Sequence, residues 1–237
     1  MIGSDIISDY ELQALQLSLK VAAYAVIWLL PLGVFLAWIL ARKRFVGRSL
    51  LDSLVHLPLV LPPVVIGYLL LVLMGRQGVI GKWLANQFDI VFSFSWKGAV
   101  LACIVVSLPL MVRSIRLSLE SIDPKLEQAA ATLGASPIKV FLTITLPLMI
   151  PGMITGTMLA FARSLGEFGA TISFVSNIPG ETQTIPLAMF TFLETPGSEM
   201  QAARLCVISI VIALGSLMIS EWLNRASARR LGRNRYE

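Results

Sequence analysis

The sequence predicts an all-α fold, a polytopic membrane bundle of about five transmembrane helices. Apolar residues make up 56% of the 237 and charged residues 14%, where an ordinary soluble domain carries about 25% charged residues. Mean hydropathy is +0.79. Apolar runs of about twenty residues recur along the chain, as bilayer-spanning helices require. Lysines and arginines gather between alternate runs. The pattern fits one membrane domain over residues 1–237, with a core at 13–224 and a basic tail at 225–237.

The N-terminus carries Asp5, Asp9 and Glu11 and no basic residue before Lys20. That is the wrong charge for a cleaved signal peptide, so the first apolar run is expected to stay in the protein. The candidate spans lie near Lys20–Leu40, Leu57–Met74, Gly98–Leu119, Leu148–Gly166 and Ala203–Leu223. Several contain proline or glycine, among them Pro31, Pro62, Pro63, Pro109, Pro151 and Gly152. Membrane helices tolerate these where neighbouring helices satisfy the freed backbone groups.

Charge placement sets the orientation. Arg42, Lys43, Arg44 and Arg48 follow the first run, and Arg113, Arg116, Lys125 and Lys139 surround the connection after the third. Arg225, Arg229, Arg230, Arg233 and Arg235 fill the tail. Lys20, Arg76, Lys82, Lys97 and Arg204 are thinner on the other side. The positive-inside rule makes the first set cytoplasmic, with the N-terminus outside and the C-terminus inside. This accounts for the net charge of +5 without nucleic acid. Phe168–Gln201 is rich in Gly, Pro and Thr and is placed on the outer face, with Ile185–Leu193 as a short helix. A sixth spanning helix there would break the charge rule.

Cys103 and Cys206 both fall inside apolar runs and read as buried small hydrophobes, not as a disulfide or metal pair. His56 is the one histidine, which argues against a histidine-based metal or triad site. At the cytoplasmic entry of the second span it reads as an interfacial hydrogen-bonding group.

The connection between the third and fourth spans has its own grammar. Asp123-Pro124 is a helix start, with Asp as N-cap and Pro at the first helical position. Leu126, Ala129, Ala130 and Leu133 recur on one face. Gly134 stands where a helix ends in a left-handed residue. Ser136-Pro137 repeats the start signal, and Ile138, Phe141 and Leu142 form a second apolar face before Leu146-Pro147 enters the fourth span. By pattern alone this is a surface hairpin. Its small residues and tight corner also suit a docking knuckle.

Glu127-Gln128-Ala129-Ala130 with Gly134, Ile144, Leu146 and Pro147 resembles the coupling loop of ABC importer permeases. That pattern runs Glu-Ala-Ala, three residues, Gly, nine residues, Ile, one residue, Leu-Pro. Gln128 occupies the strict Glu position, with Glu127 one residue earlier. Leu57–Tyr68 and Phe161–Ala170 are similar to segments of the molybdate and sulfate permease family, and Asn177–Pro186 favours molybdate over sulfate. The resemblance implies a type I importer fold in the bacterial inner membrane. It implies a second copy of the chain, two ATP-binding cassette subunits that bind ATP and Mg, a periplasmic molybdate-binding protein, and lipid around the bundle. The hairpin over residues 123–147 then meets the ATPase through Glu127, Gln128, Ala129, Ala130, Gly134, Leu146 and Pro147.

No phosphate-binding Gly-x-x-x-x-Gly-Lys-Ser/Thr loop occurs, since Gly81-Lys82 is followed by Trp83. The chain is therefore expected to be a non-catalytic subunit that holds no cofactor and takes its energy from a partner. Arg163 and Glu167 lie one helical turn apart in the fourth span. With Phe168 they are the candidate translocation-pathway residues, because ionisable groups in a span are costly and face a cavity or a partner. The competing reading is an ion pair that only holds packing. Glu181, Glu194 and Glu199 make the outer stretch acidic, which suits docking of a binding protein better than capture of an anion. Sulfate or tungstate import is the alternative within the class. A polytopic membrane enzyme needs a cluster of His, Asp or Glu near one membrane face, which the sequence does not show.

Overall fold

The computed structural model describes residues 8–230, and these form helices joined by short connections. In order they are α1 (Asp9–Arg42), α2 (Arg48–Val60), α3 (Pro63–Met74), α4 (Val79–Phe88), α5 (Trp96–Glu120) and α6 (Pro124–Thr132). Then come α7 (Pro137–Val140), a π-helical turn (Phe141–Thr145), α8 (Leu146–Leu165), α9 (Gly169–Val175), α10 (Ile185–Glu194) and α11 (Glu199–Arg230). Residues 1–7 and 231–237 fall outside the described set, and with them Asp5, Arg233 and Arg235 of the sequence expectations.

Among the described residues, four helices are long and apolar enough to cross a membrane: α1, α5, the continuous run Pro137–Leu165, and α11. A fifth span exists only if α2 and α3 are counted together, and the chain bends by 117° between them. The expected span near Leu57–Met74 is therefore a bent pair of helices. The apolar run is unbroken, so hydropathy reads through it. Pro62 leads into Pro63 at the first position of α3, and Leu61 and Pro62 both take extended backbone, which ends α2. The second helix of the hairpin runs on into the fourth span. Pro147 falls inside this continuous run, and the π-helical turn Phe141–Thr145 just before it carries α7 into α8 without a gap. Ile185–Leu193 is the short helix α10, too short to be a sixth span.

The most deeply buried span is α5, packed by α1 on one side and α8 on the other. Glycine spacing on α8 explains the second contact. Gly152 lies so close to Ser118 and the backbone of Ser114 that a side chain there would push α5 away, and Gly156 sits tightly against Met111 and Ser114. Small residues four apart are a recurrent device for close helix approach in membranes. One core cluster joins Val21, Ala25, Ile66, Val106 and Phe174, and a second joins Leu29, Leu40, Met111, Ile115 and Met149. A third, smaller cluster of Ala14, Ile185, Ala188 and Leu205 packs the start of α1 against α10 and α11. Cys103 is buried at the α5–α8 contact, but Cys206 is exposed on α11, which corrects its expected burial.

Two lysines on α1 and at its C-cap lie over tryptophan rings. Lys20 Nζ lies 3.9 Å from the ring centre of Trp96, and Lys43 Nζ lies 5.0 Å from that of Trp38. Lys20 and Arg42 are separated by about 33 Å of helix at about 1.5 Å per residue, close to the thickness of a bilayer core. The first turns of α1 thus project beyond the bilayer and meet α10 and the start of α11. The hairpin α6–α7 lies beyond the opposite face.

Candidate functional site

The hairpin forms as its residues dictate. Asp123 caps α6 by accepting from Lys125 N at 2.9 Å, and Ser136 caps α7 by accepting from Lys139 N at 3.4 Å. Gly134 takes φ +82°, a conformation that strains any residue with a side chain. Ala135 N donates to Ala130 O at 3.1 Å and Gly134 N to Ala131 O at 3.0 Å, the paired bonds of a Schellman close.

No residue of α6 is buried. Leu133 is 89% exposed and Ile138 73%, with Leu126 and Leu142 also open. These large apolar side chains project from a polar hairpin outside the apolar spans, which marks an interaction surface. Gln128, Ala129 and Gly134 are exposed, Ala130 is half-buried, and Leu146 and Pro147 sit half-buried at the root of α8.

Glu127 turns the other way. Its Oε1 accepts from Arg42 Nη2 at 3.0 Å and from Thr145 Oγ1 at 2.7 Å. One carboxylate oxygen thereby ties α6 to the end of α1 and to the π-helical turn at the root of α8. The structure thus separates the two neighbours that sequence had grouped. Gln128 faces outward, and Glu127 faces its own chain.

At the far end of α8, Arg163 Nη1 stands 2.7 Å from Glu167 Oε2. The pair is close by distance but not aligned as a hydrogen bond. Glu167 is 2% exposed, and its other oxygen accepts from Ala170 N at 2.7 Å. The carboxylate so satisfies the open N-terminus of α9 and meets its positive dipole. Arg163 stays partly open. Phe168 packs its ring on Phe190 at 5.3 Å and lines an apolar groove of about 540 Å³ between α8, α10 and α11. Neither Arg163 nor Glu167 lines that groove. The structure therefore brings Arg163 and Glu167 together and sends Phe168 elsewhere.

Glu181, Glu194 and Glu199 are all exposed, on the α9–α10 connection, the last residue of α10 and the first of α11. Two ion-pair groups escaped the sequence reading. Arg204 Nε and Nη2 donate to Glu11 Oε1 and Oε2 at 3.0 and 3.2 Å, and Glu11 is fully buried. Arg116 bridges Asp52 at 2.9 Å and Glu120 at 2.8 Å, beside His56, whose Nδ1 lies 2.8 Å from Asp52 O. The capping signal Ser8-x-x-Glu11 was present in sequence, where Ser8 N donates to Glu11 Oε2 at 2.7 Å. Its long-range partner Arg204 was not.

Comparison with known proteins fits this geometry. Residues 30–233 match the family described as binding-protein-dependent transport system inner membrane components. The chain belongs to that family. As an inner membrane component it is a multi-pass transport permease. The molybdenum transport system permease protein ModB of Escherichia coli K12 is 66% identical over 96% of this chain and all of its own length. The protein of that name in Haemophilus influenzae is 64% identical over 94% of this chain and 97% of its own length. The sulfate transport system permease protein CysT of Escherichia coli K12 is 39% identical over 83% of this chain and 69% of its own length. A crystal structure of a bacterial alginate ABC transporter superposes with TM-score 0.75 at 18% identity, covering 97% of this chain and 84% of its own. The MetNI methionine ABC transporter gives TM-score 0.65 at 13% identity, covering 91% of this chain and 93% of its own. At such identities these two structures speak for the fold, which is that of ABC importer permeases.

Proposed function

We propose that this chain is the permease subunit of a molybdate importer, driven by ATP hydrolysis in a separate subunit. The observation that carries the coupling role is the exposed apolar hairpin, anchored to α1 and to the root of α8 through Glu127. A partner that grips Leu133 and Ile138 can move two spans at once. Identity of 66% to molybdenum permeases over 96% of the chain supports the anion.

In this reading two copies of the chain form the channel. Two ATP-binding cassette subunits bind ATP and Mg and seat the hairpin, with Gln128, Ala129, Ala130 and Gly134 at the contact. Glu127, Leu146 and Pro147 hold the hairpin to its own span. The hairpin side is cytoplasmic, and the start of α1 is periplasmic. A molybdate-binding protein docks on the outer side, where Glu181, Glu194 and Glu199 are exposed. Arg163 biases the path toward an oxyanion, Glu167 fixes its position, and Phe168 shapes the neighbouring groove.

The test is uptake of radiolabelled molybdate in cells lacking their own system, with the chain expressed beside its ATPase and binding protein. Molybdate uptake that tungstate inhibits and sulfate does not is the expected result. Rescue by sulfate alone would overturn the substrate.

A further inference from the structure

The structure holds an apolar groove between α1 and α5 that neither the hairpin nor Arg163 and Glu167 line. Its volume is about 520 Å³. Tyr24, Trp28 and Leu32 of α1 form one wall, and Trp96, Val100 and Ile104 of α5 form the other. Trp28 is 65% exposed, and Tyr24 and Leu32 are also open. Tyr24 meets Trp96 edge-on at 5.4 Å, so the groove has a rigid aromatic rim.

Charge is confined to one end. Lys97 lines the groove, and Lys20 lies over the face of Trp96 beside it. Both lysines are exposed, and neither pairs with a carboxylate among the described residues. From this rim the groove descends along α1 and α5 through Trp28, Leu32, Leu101 and Ile104, toward the middle of the span. Tryptophan and tyrosine favour the headgroup level of a bilayer, and lysines there reach for the interface. An elongated apolar slot with two free cations at its interfacial mouth has the chemistry of an acyl chain below and a phosphate above.

We propose that this groove binds one anionic phospholipid, of the phosphatidylglycerol class, in the leaflet on the side of the α1 N-terminus. The acyl chain lies between Trp28 and Ile104, and the headgroup phosphate sits between Lys20 and Lys97. The inference rests on the chain's being a membrane permease and not on the anion it carries. A bound lipid here braces α1 against α5 at the end away from the hairpin.

The test uses the assembled transporter, purified in detergent and presented with phosphatidylglycerol or phosphatidylethanolamine, with retained lipid counted by native mass spectrometry. The wild type is expected to retain phosphatidylglycerol in preference. Lys20→Ala and Lys97→Ala are each expected to weaken retention about fivefold, since each interfacial cation contributes roughly equally to binding an anionic lipid. Leu32→Trp, which fills the groove and keeps both charges, is expected to displace the lipid while the complex stays assembled. Equal retention of the two lipids, or unchanged retention in the lysine variants or in Leu32→Trp, overturns the proposal. So does disulfide cross-linking between copies through Trp28→Cys, since a second chain would then cover the groove.

Discussion

The two ends of the bundle use the same pair of residue types to opposite effect. At the end away from the hairpin, Arg204 grips a fully buried Glu11 with two hydrogen bonds, and Ala14, Ile185, Ala188 and Leu205 close an apolar cluster beneath them. At the hairpin end, Arg42 holds a half-exposed Glu127 through one oxygen, while Leu133 and Ile138 stay open. The first arrangement completes itself within the chain. The second fixes one face of a hairpin and leaves the other for a partner. A carboxylate–arginine tie thus says little about role until the neighbouring apolar side chains are placed.

This comparison can be broken by putting charge on the open face. Leu133→Asp combined with Ile138→Asp is expected to abolish co-purification of the ATPase subunit, because each unpaired buried charge costs several kcal/mol. The permease itself should still insert and fold. Persistent co-purification would mean that the hairpin is not the docking face. At the closed end, Glu11→Ala leaves Arg204 beside an empty apolar cluster and is expected to cost about 3 kcal/mol of stability. Thermal unfolding of the solubilised transporter reads this, and an unchanged midpoint would remove the contrast.

Smaller changes sharpen it. Glu127→Gln is expected to change stability by no more than about 1 kcal/mol, as a partly exposed pair should. It should nevertheless lower the molybdate carried per ATP hydrolysed in reconstituted vesicles. The reversed pair Arg42→Glu with Glu127→Arg should recover part of that ratio, and a ratio insensitive to both variants would leave Glu127 a mere brace. The smallest effect is expected from Arg163→Ala. Uptake should fall by a few-fold, since one partly screened charge contributes about 1 kcal/mol. Full transport with intact assembly would make the Arg163–Glu167 pair a packing device.

What sequence revealed here was local and periodic. The runs behind α1, α5, α8 and α11 were legible because each is a long apolar stretch, and the hairpin was legible through Asp123, Gly134 and Ser136, whose signals act within a few residues. The angle between α2 and α3 was hidden, because both arms are apolar and only Pro62 and Pro63 hint at a corner. The role of Glu127 was hidden for a different reason. Its partner Arg42 lies 85 positions away, and no pattern of spacing links them. Glu11 was read only as a mark against a cleaved signal peptide when it was also half of a buried pair. At the far end of the fourth span, the one-turn spacing of Arg163 and Glu167 announced their contact. The cap on α9 depended on a turn that hydropathy does not describe.

The unbroken passage from α7 through the π-helical turn into α8 has a mechanical consequence. Pro137–Leu165 is a single rod of 29 residues. It is about 43 Å long at about 1.5 Å per residue, so a tilt of only about 5° at its root sweeps the Arg163 end through nearly 4 Å. A break at the root would absorb such a tilt; a continuous helix carries it on to the Arg163 end.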